Sequence, residues 1–251
     1  MVKIAIIGGS GLEKSSLIQS VSTKETETKW GTPSSPITEG ILNGVPVAFL
    51  SRHGYDHSIP PTQVNNRANI AALKEIGCTH ILSSTAVGSL REEIHPGHLV
   101  IPDQFIDFTK HRICTYHETF SDGIKHLSIA DPFNESLRQD LIHVCEKLKF
   151  EHHKQATVVT IEGPRFSTRA ESQMFRILGA DIINMSIAPE AILAAELGIP
   201  YATIAMSTDY DAWRENIAPV SWEEIKEVMK ANTQKVQQVF AEIVSLIASH
   251  Q

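Results

Sequence analysis

The sequence predicts an α/β domain whose strands and helices alternate around a central sheet. Three observations carry that expectation. Short apolar runs rich in β-formers recur along the chain, beginning with Ile4-Ala5-Ile6-Ile7. Between them lie segments with apolar residues at helical spacing, the clearest from Ser221 to Ala248. The runs break off into glycine, hydroxyl or charged residues, so candidate site residues sit repeatedly just after a strand. The chain has 251 residues, enough for a sizeable core, and shows neither an internal repeat nor a linker. One domain over residues 1–251 is expected.

Taken in order, Ile4 to Ile7 reads as a buried strand and Gly8-Gly9-Ser10-Gly11 as the turn leaving it. That turn lacks the spacing of a dinucleotide fingerprint or a Walker loop. Its N–H groups and the Ser10 hydroxyl suit an anion, yet many such turns only reverse a strand. Residues 21–40 are polar and punctuated by proline and glycine, a surface stretch by composition. Val45 to Ser51 is the next strand, ending at Arg52-His53-Gly54. The rigid donor fork of Arg52 suits phosphate, and a salt bridge is an equal reading. Val64 to Ile76 has helical spacing and stops at Gly77. Ile81-Leu82 starts a strand that runs into Ser83-Ser84-Thr85-Ala86-Val87-Gly88-Ser89. Small residues there let a ligand approach the backbone, or simply make a turn.

Leu99 to Pro102 is a further short strand. Asp107 to Asp131 is polar, lacks clear periodicity and carries His111, His117 and His126. A segment of that length without an element points to a functional loop or an oligomer contact. None of its histidines has metal-ligand spacing, so no metal is expected. Ser136 to Leu148 reads as an amphipathic helix and Ala156 to Ile161 as a strand. Phe166 follows at a junction with a helix that runs through Leu178, placed to stack on a flat base or to fill the core. Asp181 to Met185 is a strand, followed by Ser186 and a helix from Pro189-Glu190 to near Gly198. The last helix carries Ile225, Val228, Met229, Val236, Val239, Phe240, Ile243 and Leu246 on one stripe, with a Ser221/Glu224 capping box.

Composition limits the function. A formal charge of −7 argues against a general nucleic-acid binder and permits a local anion pocket. Cys78, Cys114 and Cys145 are odd in number and far apart, which fits a reducing compartment and no disulfide framework. The N-terminus shows no secretory pattern, and no segment has the ~18 apolar residues of a membrane span. A cytoplasmic protein without a membrane partner is expected.

The run Tyr201-Ala202-Thr203-Ile204-Ala205-Met206-Ser207 ends in Thr208-Asp209-Tyr210-Asp211-Ala212-Trp213. Ligands of alternating β/α sheets bind outside the carboxyl ends of the strands. Two carboxylates there can accept from the N–H groups of a purine edge, although Asp also starts many turns. The other strand-end residues tip the balance. Ser10, Arg52, Thr85 and Ser186 form an anion cradle, Phe166 an aromatic platform, and Asp209 with Asp211 a purine edge. No nucleophile elbow, reactive CxxC or glycosidase carboxylate pair is evident. The set suits phosphorolysis, in which phosphate stabilises and then captures an oxocarbenium-like sugar as the base departs. Asp209, protonated or sharing a proton with N7, would ease that departure.

Longer motifs add to this reading. Ile6-Ile7-Gly8-Gly9-Ser10-Gly11-Leu12, Arg52-His53-Gly54, Val64-Asn65-Asn66-Arg67-Ala68-Asn69 and Gly88-Ser89-Leu90-Arg91-Glu92-Glu93 occur in order. Thr160-Ile161-Glu162-Gly163-Pro164-Arg165-Phe166-Ser167, Asn184-Met185-Ser186 and Thr208 to Trp213 follow. From Ile4 to the last helix the chain resembles the trimeric purine nucleoside phosphorylase family, in the branch that cleaves 5′-methylthioadenosine. The resemblance implies one α/β domain with a central mixed sheet flanked by helices. It implies a phosphate site of Ser10, Arg52, His53, Thr85, Ala86 and Ser186, with Ser10 and Ser186 where threonine is common. It places Met185 under the ribose, Phe166 and Ser167 at the base, and Asp209 and Asp211 on N7 and the 6-amino group. The catalytic set is then Asp209, Ser186 and Arg52. The 5′ pocket falls to His57, Trp222 and Ile225, and His126 reaches a neighbouring subunit's site. Trp222 is bulkier than the small aliphatic residue usual there. The 6-oxopurine branch has Asn where this chain has Asp209, so a 6-aminopurine is expected. The resemblance implies a homotrimer acting on a nucleoside, with phosphate as co-substrate and no cofactor. The alternatives are a phosphorylase of broader purine specificity and a purine-nucleoside sensor without turnover.

Overall fold

A computed structural model describes residues 2–8, 18–121, 123–215 and 222–250, the side chains of residues 20 and 222–225 excepted. In chain order the first elements are β1 (Ile4–Gly8), β2 (Gln19–Lys24), β3 (Ile37–Leu42), β4 (Val45–Ser51), α1 (Asn66–Glu75) and β5 (His80–Ser89). Then come β6 (Leu99–Val100), β7 (Gln104–Phe108), α2 (Glu135–Lys147), β8 (His152–His153) and β9 (Thr157–Ile161). The chain continues with α3 (Arg169–Ile177), β10 (Ile182–Asn184), α4 (Ile187–Glu196), β11 (Tyr201–Asp209) and α5 (Trp222–Ser249).

The sheet is mixed, as expected. Its main path is β2-β3-β4-β1-β5-β10-β9-β7, with β11 on β5 and the short β6 and β8 beyond it. β1 pairs in parallel with β4 and β5, so its five residues are buried on both faces and read as one apolar run. Its side chains alternate between two cores. Ile4 and Ile6 meet Leu137 and Leu141 of α2 and Val236, Val239, Phe240 and Ile243 of α5. Ala5 and Ile7 meet Ile70 and Leu73 of α1 and Ile187, Ala191 and Ala194 of α4. Helices therefore cover both sides. A smaller cluster of Val159, Ile161, Phe175, Ile183 and Trp213 seats α3 against β9 and β10.

β5 positions the site. Along one edge it pairs with β1 only as far as Ser83, and with β10 only from Gly88. Among the described residues no strand occupies that edge from Ser84 to Val87, while β11 follows nearly the whole opposite edge. A gap in the ladder thus opens where the carboxyl ends of β1, β4, β9 and β10 approach.

Several expectations are corrected. Residues 21–40 are not merely surface: β2 and β3 form an antiparallel extension of the sheet, with Ile37, Thr38 and Leu42 buried. The described side chains of β2 are exposed and rich in Ser and Thr, and β3 sits in the same Pro/Gly-punctuated stretch, so composition alone concealed both strands. Strand and helix do not alternate throughout, because β2, β3 and β4 are consecutive. β7 takes Gln104–Phe108, so the irregular segment starts later than Asp107, and β8 at His152–His153 was not anticipated. α4 begins at Ile187, two residues before Pro189, which is harmless in a first turn. The Ser221 cap lies outside the described residues.

Candidate active site

A cavity fills the gap beside β5. It is lined by Arg52, His53 and His57 after β4, by Ser84 to Gly88 of β5, and by Phe166 and Ser167 after β9. Asn184, Met185 and Ser186 from the end of β10, Thr208, Asp209 and Asp211 from the end of β11, and Met229 of α5 also line it. Of the residues singled out from sequence, Arg52, His53, His57, Thr85, Ala86, Phe166, Ser167, Met185, Ser186, Asp209 and Asp211 meet in this one cavity. Ser10 lies outside the described residues, and so do the side chains of Trp222 and Ile225. His126 is exposed and packs against Phe120 at 5.5 Å between rings, outside the cavity lining. Thr85 is not at a strand end: β5 runs four residues past it, and the gap in the ladder rather than a turn exposes it.

One end of the cavity is built for an anion. Arg52 is buried and donates from Nε to Glu190 Oε1 at 2.5 Å and from Nη2 to Glu190 Oε2 at 3.1 Å. Nη1 donates to the Ser84 carbonyl at 2.9 Å. Three of five donors are thereby spent on holding the fork, and two N–H bonds remain. Both readings of Arg52 hold at once: it is ion-paired and it lines the cavity. Glu190 also accepts from Tyr201 Oη at 2.8 Å, and that hydroxyl lies 2.6 Å from Ser83 Oγ. Burial first, then the Glu190 charge, hold the Tyr201 phenol far above its usual range, so it stays a donor.

His53 Nδ1 lies 2.9 Å from the Ile59 carbonyl, which fixes the tautomer with Nε2 unprotonated. Burial above all, then the charge on Arg52 and lastly that on Arg112, push this imidazole down to about 4, so it is neutral at pH 7. The His57 ring lies beside it, tilted by 38° with 4.6 Å between centroids. Burial, then Arg52, lower its pKa as well. Thr85 Oγ1 lies 3.1 Å from Ser186 Oγ and accepts from Asn184 Nδ2 at 3.4 Å. Ser186 is the N-cap residue of α4, yet its hydroxyl makes no capping bond and stays with Thr85. The positive end of the α4 dipole thus opens onto hydroxyls and an arginine, a ready-made anion site.

The other end presents carboxyls. β11 slips register between Ser207 and Asp209 against Val87 and Gly88, so Thr208 is the extra residue of a bulge. Bulges re-aim side chains, and this one brings Asp209 into the cavity. Gly88 makes the room: a Cβ there would lie 3.1 Å from Asp209 Oδ1 and 3.2 Å from Asp211 Cβ. Asp209 accepts from Thr208 Oγ1 and from the Asp211 N–H, each at 2.7 Å. Burial raises its pKa, those two bonds oppose the rise, and the Asp211 charge adds to it. Burial likewise raises Asp211, whose Oδ2 has no hydrogen-bond partner, as is true of the Ser167 hydroxyl. Buried polar atoms left open beside a cavity are what a polar ligand edge would satisfy. A carboxyl whose folded pKa is raised weakens the fold once pH rises above its unfolded value, because the folded state resists losing the proton. Asp211→Asn is therefore expected to raise Tm at pH 7 while impairing activity, checked by thermal melts beside turnover assays. A lowered Tm would contradict this.

Between the two ends, Met185 projects against Gly163, where a Cβ would lie 2.4 Å from Met185 Sδ. Gly163 also has φ +65°, which costs other residues about 1–2 kcal/mol. Gly163→Ala is expected to destabilise by about that much and to displace Met185, raising the KM of a ligand that rests on it. Denaturant titration and steady-state kinetics test the two halves separately.

Sequence reading missed Glu190, Tyr201, Asn184, Gly88, Met229 and Arg112. Glu190 had a signal: it is the lone charge among Ile187, Ala188, Pro189, Ala191, Ile192, Leu193 and Ala194, and an acid in an apolar helix needs a buried partner. Arg112 had none, standing in a polar segment without periodicity.

Residues 3–245 match the model of the phosphorylase superfamily. The S-methyl-5′-thioadenosine phosphorylase of Anopheles gambiae is 46% identical over 99% of this chain and 90% of its own length. That of Hyperthermus butylicus is 49% identical over 96% of this chain and 87% of its own. The methylthioadenosine phosphorylase of Schistosoma mansoni, solved with adenine, superposes with TM-score 0.93 at 38% identity, covering 99% of this chain and 93% of that one. One from an antarctic soil metagenomic library also gives 0.93, at 46% identity over 99% and 87%. With its fold and nearly its whole length shared with these enzymes, the chain belongs to the phosphorylase superfamily.

Proposed function

We propose that this chain catalyses the reversible phosphorolysis of 5′-methylthioadenosine to adenine and 5-methylthioribose 1-phosphate, a salvage reaction. The observation that carries the reading is one cavity with an anion cradle at one end and two half-buried carboxyls, Asp209 and Asp211, at the other. Phosphate is held by the free N–H groups of Arg52, by the backbone N–H groups of His53 and Ala86, and by the hydroxyls of Thr85 and Ser186, together with Ser10. The adenine ring stacks on Phe166, half exposed here and so open to a flat partner. Asp209 delivers a proton to N7 as the bond to the sugar breaks, which is why a raised pKa suits it. Asp211 and Ser167 take the remaining edge of the base, with Asp211 Oδ2 accepting from the 6-amino group. Met185 supports the ribose. His57 borders the 5′ substituent, a role the family resemblance also gives to Trp222 and Ile225, and an apolar wall such as Met229 provides disfavours a free hydroxyl.

Phosphate is the co-substrate, and the reading calls on no cofactor. No described helix is long and apolar enough to cross a membrane. The free thiols of Cys78, Cys114 and Cys145 support a cytoplasmic setting. The chain works as a homotrimer: Ile113, Phe120, Ile124 and Leu127 expose apolar side chains on the segment that carries His126. Packing that segment on a second copy covers them and brings His126 to the neighbour's 5′ pocket. A substrate panel of methylthioadenosine, adenosine, inosine and methylthioinosine tests the specificity. Methylthioadenosine should have the highest kcat/KM; preference for either 6-oxopurine would overturn the assignment of Asp209 and Asp211.

A further inference from the structure

Arg112 is not part of the cavity lining, yet its side chain is only 3% exposed and every donor nitrogen is engaged. Nε donates to Glu162 Oε1 at 2.9 Å, Nη2 to the Glu162 carbonyl at 2.6 Å and Nη1 to the Met185 carbonyl at 3.1 Å. Glu162 Oε2 in turn accepts from the backbone N–H groups of Lys110 at 2.7 Å and His111 at 3.0 Å. One guanidinium therefore ties together the segments that follow β7, β9 and β10. Two of these carry the cavity's middle: Gly163 gives room to the Met185 side chain, and Ser186 follows Met185 directly.

We propose that Arg112 is a positioning residue for the sugar part of the nucleoside, acting by fixing the Met185 carbonyl against the Glu162–Gly163 turn. The proposal rests on the phosphorolysis reading, which puts Met185 under the ribose. The planar fork matters because three acceptors lie in different directions around it; a lysine ammonium retains the charge without that geometry. Asp209, at the end of β11, is held by the Thr208 hydroxyl and the Asp211 N–H and not by Arg112, so the base end stays intact when the fork is lost.

The test compares wild type, Arg112→Lys, Met185→Ala and the double variant. It measures KM for methylthioadenosine, KM for phosphate, and the dissociation constant of adenine. Arg112→Lys is expected to raise the nucleoside KM about tenfold or more, the loss of one or two charge-assisted bonds. Adenine affinity should stay within about twofold, and the double variant should behave like Met185→Ala alone, because coupled sites are not additive. Glu162→Gln, which removes the ion pair and leaves the carbonyl acceptors, should move the nucleoside KM in the same direction by less, and it carries the test if Arg112→Lys does not fold. The role is overturned by equal loss of adenine and nucleoside affinity, by multiplying effects in the double variant, or by a lower Tm with unchanged KM. Wild type that releases no adenine in phosphate overturns the phosphorolysis reading itself, and the role of Arg112 with it.

Discussion

Arg52→Ala raises the phosphate KM roughly 100-fold or more while adenine still binds, because two charge-assisted hydrogen bonds to the anion disappear. The structure adds a second consequence. Glu190 is buried against Arg52, and truncating one member of such a pair leaves a charge without compensation. Breaking a buried pair costs about 3–5 kcal/mol, a large fraction of ordinary stability. Thermal melts and kinetics over a phosphate series check both effects. Arg52→Lys separates them, since a lysine retains charge near Glu190 but cannot present the fork to Glu190 and phosphate together. An Arg52→Ala enzyme with unchanged phosphate KM would remove this arginine from the phosphate site.

The second large effect falls at the purine end. Asp209→Asn lowers kcat on methylthioadenosine by about 10²–10⁴, the range of a lost general acid. The amide has no proton to give N7. It does offer an N–H to a 6-oxo group, so inosine or methylthioinosine cleavage should rise relative to the 6-aminopurines. The bulge at Thr208 and the space above Gly88 tolerate the isosteric amide, so the fold should survive. Burial raises the Asp209 pKa, so the wild-type acid form extends above the usual carboxylate range and falls away as pH increases. The alkaline decline of kcat in wild type should therefore be absent or displaced in Asp209→Asn. Unchanged selectivity and an unchanged pH profile would take Asp209 out of its role.

How much of this was legible beforehand depended on where the physical signal resides. β1 and β4 were readable because strands buried on both faces must be continuous apolar runs. β2 was not, because its described side chains are exposed and its Ser and Thr content reads as loop, and β3 was hidden in the same Pro/Gly-punctuated stretch. Arg52, Thr85, Ser186, Asp209 and Asp211 were found as polar residues breaking apolar runs, and they meet in one cavity. The groups that orient them were harder. Tyr201 was the first residue of an apolar strand, and only the fold shows its hydroxyl facing Glu190 across the layer between β11 and α4. Gly88 reads as one more small residue until the bulge opposite it is seen. Arg112 is close to Met185 in space and 73 residues away in sequence, a pairing that no local pattern encodes.

Adenine release from methylthioadenosine, followed with and without phosphate, tests the central claim most directly. Release that depends on phosphate and yields methylthioribose 1-phosphate is the result expected of a cavity with an anion cradle facing a purine edge. Release at the same rate in phosphate-free buffer would mean that water is the nucleophile and that the Arg52, Thr85 and Ser186 cradle does not serve phosphate. Binding of the nucleoside without release of base would point to a sensor built on the same fold.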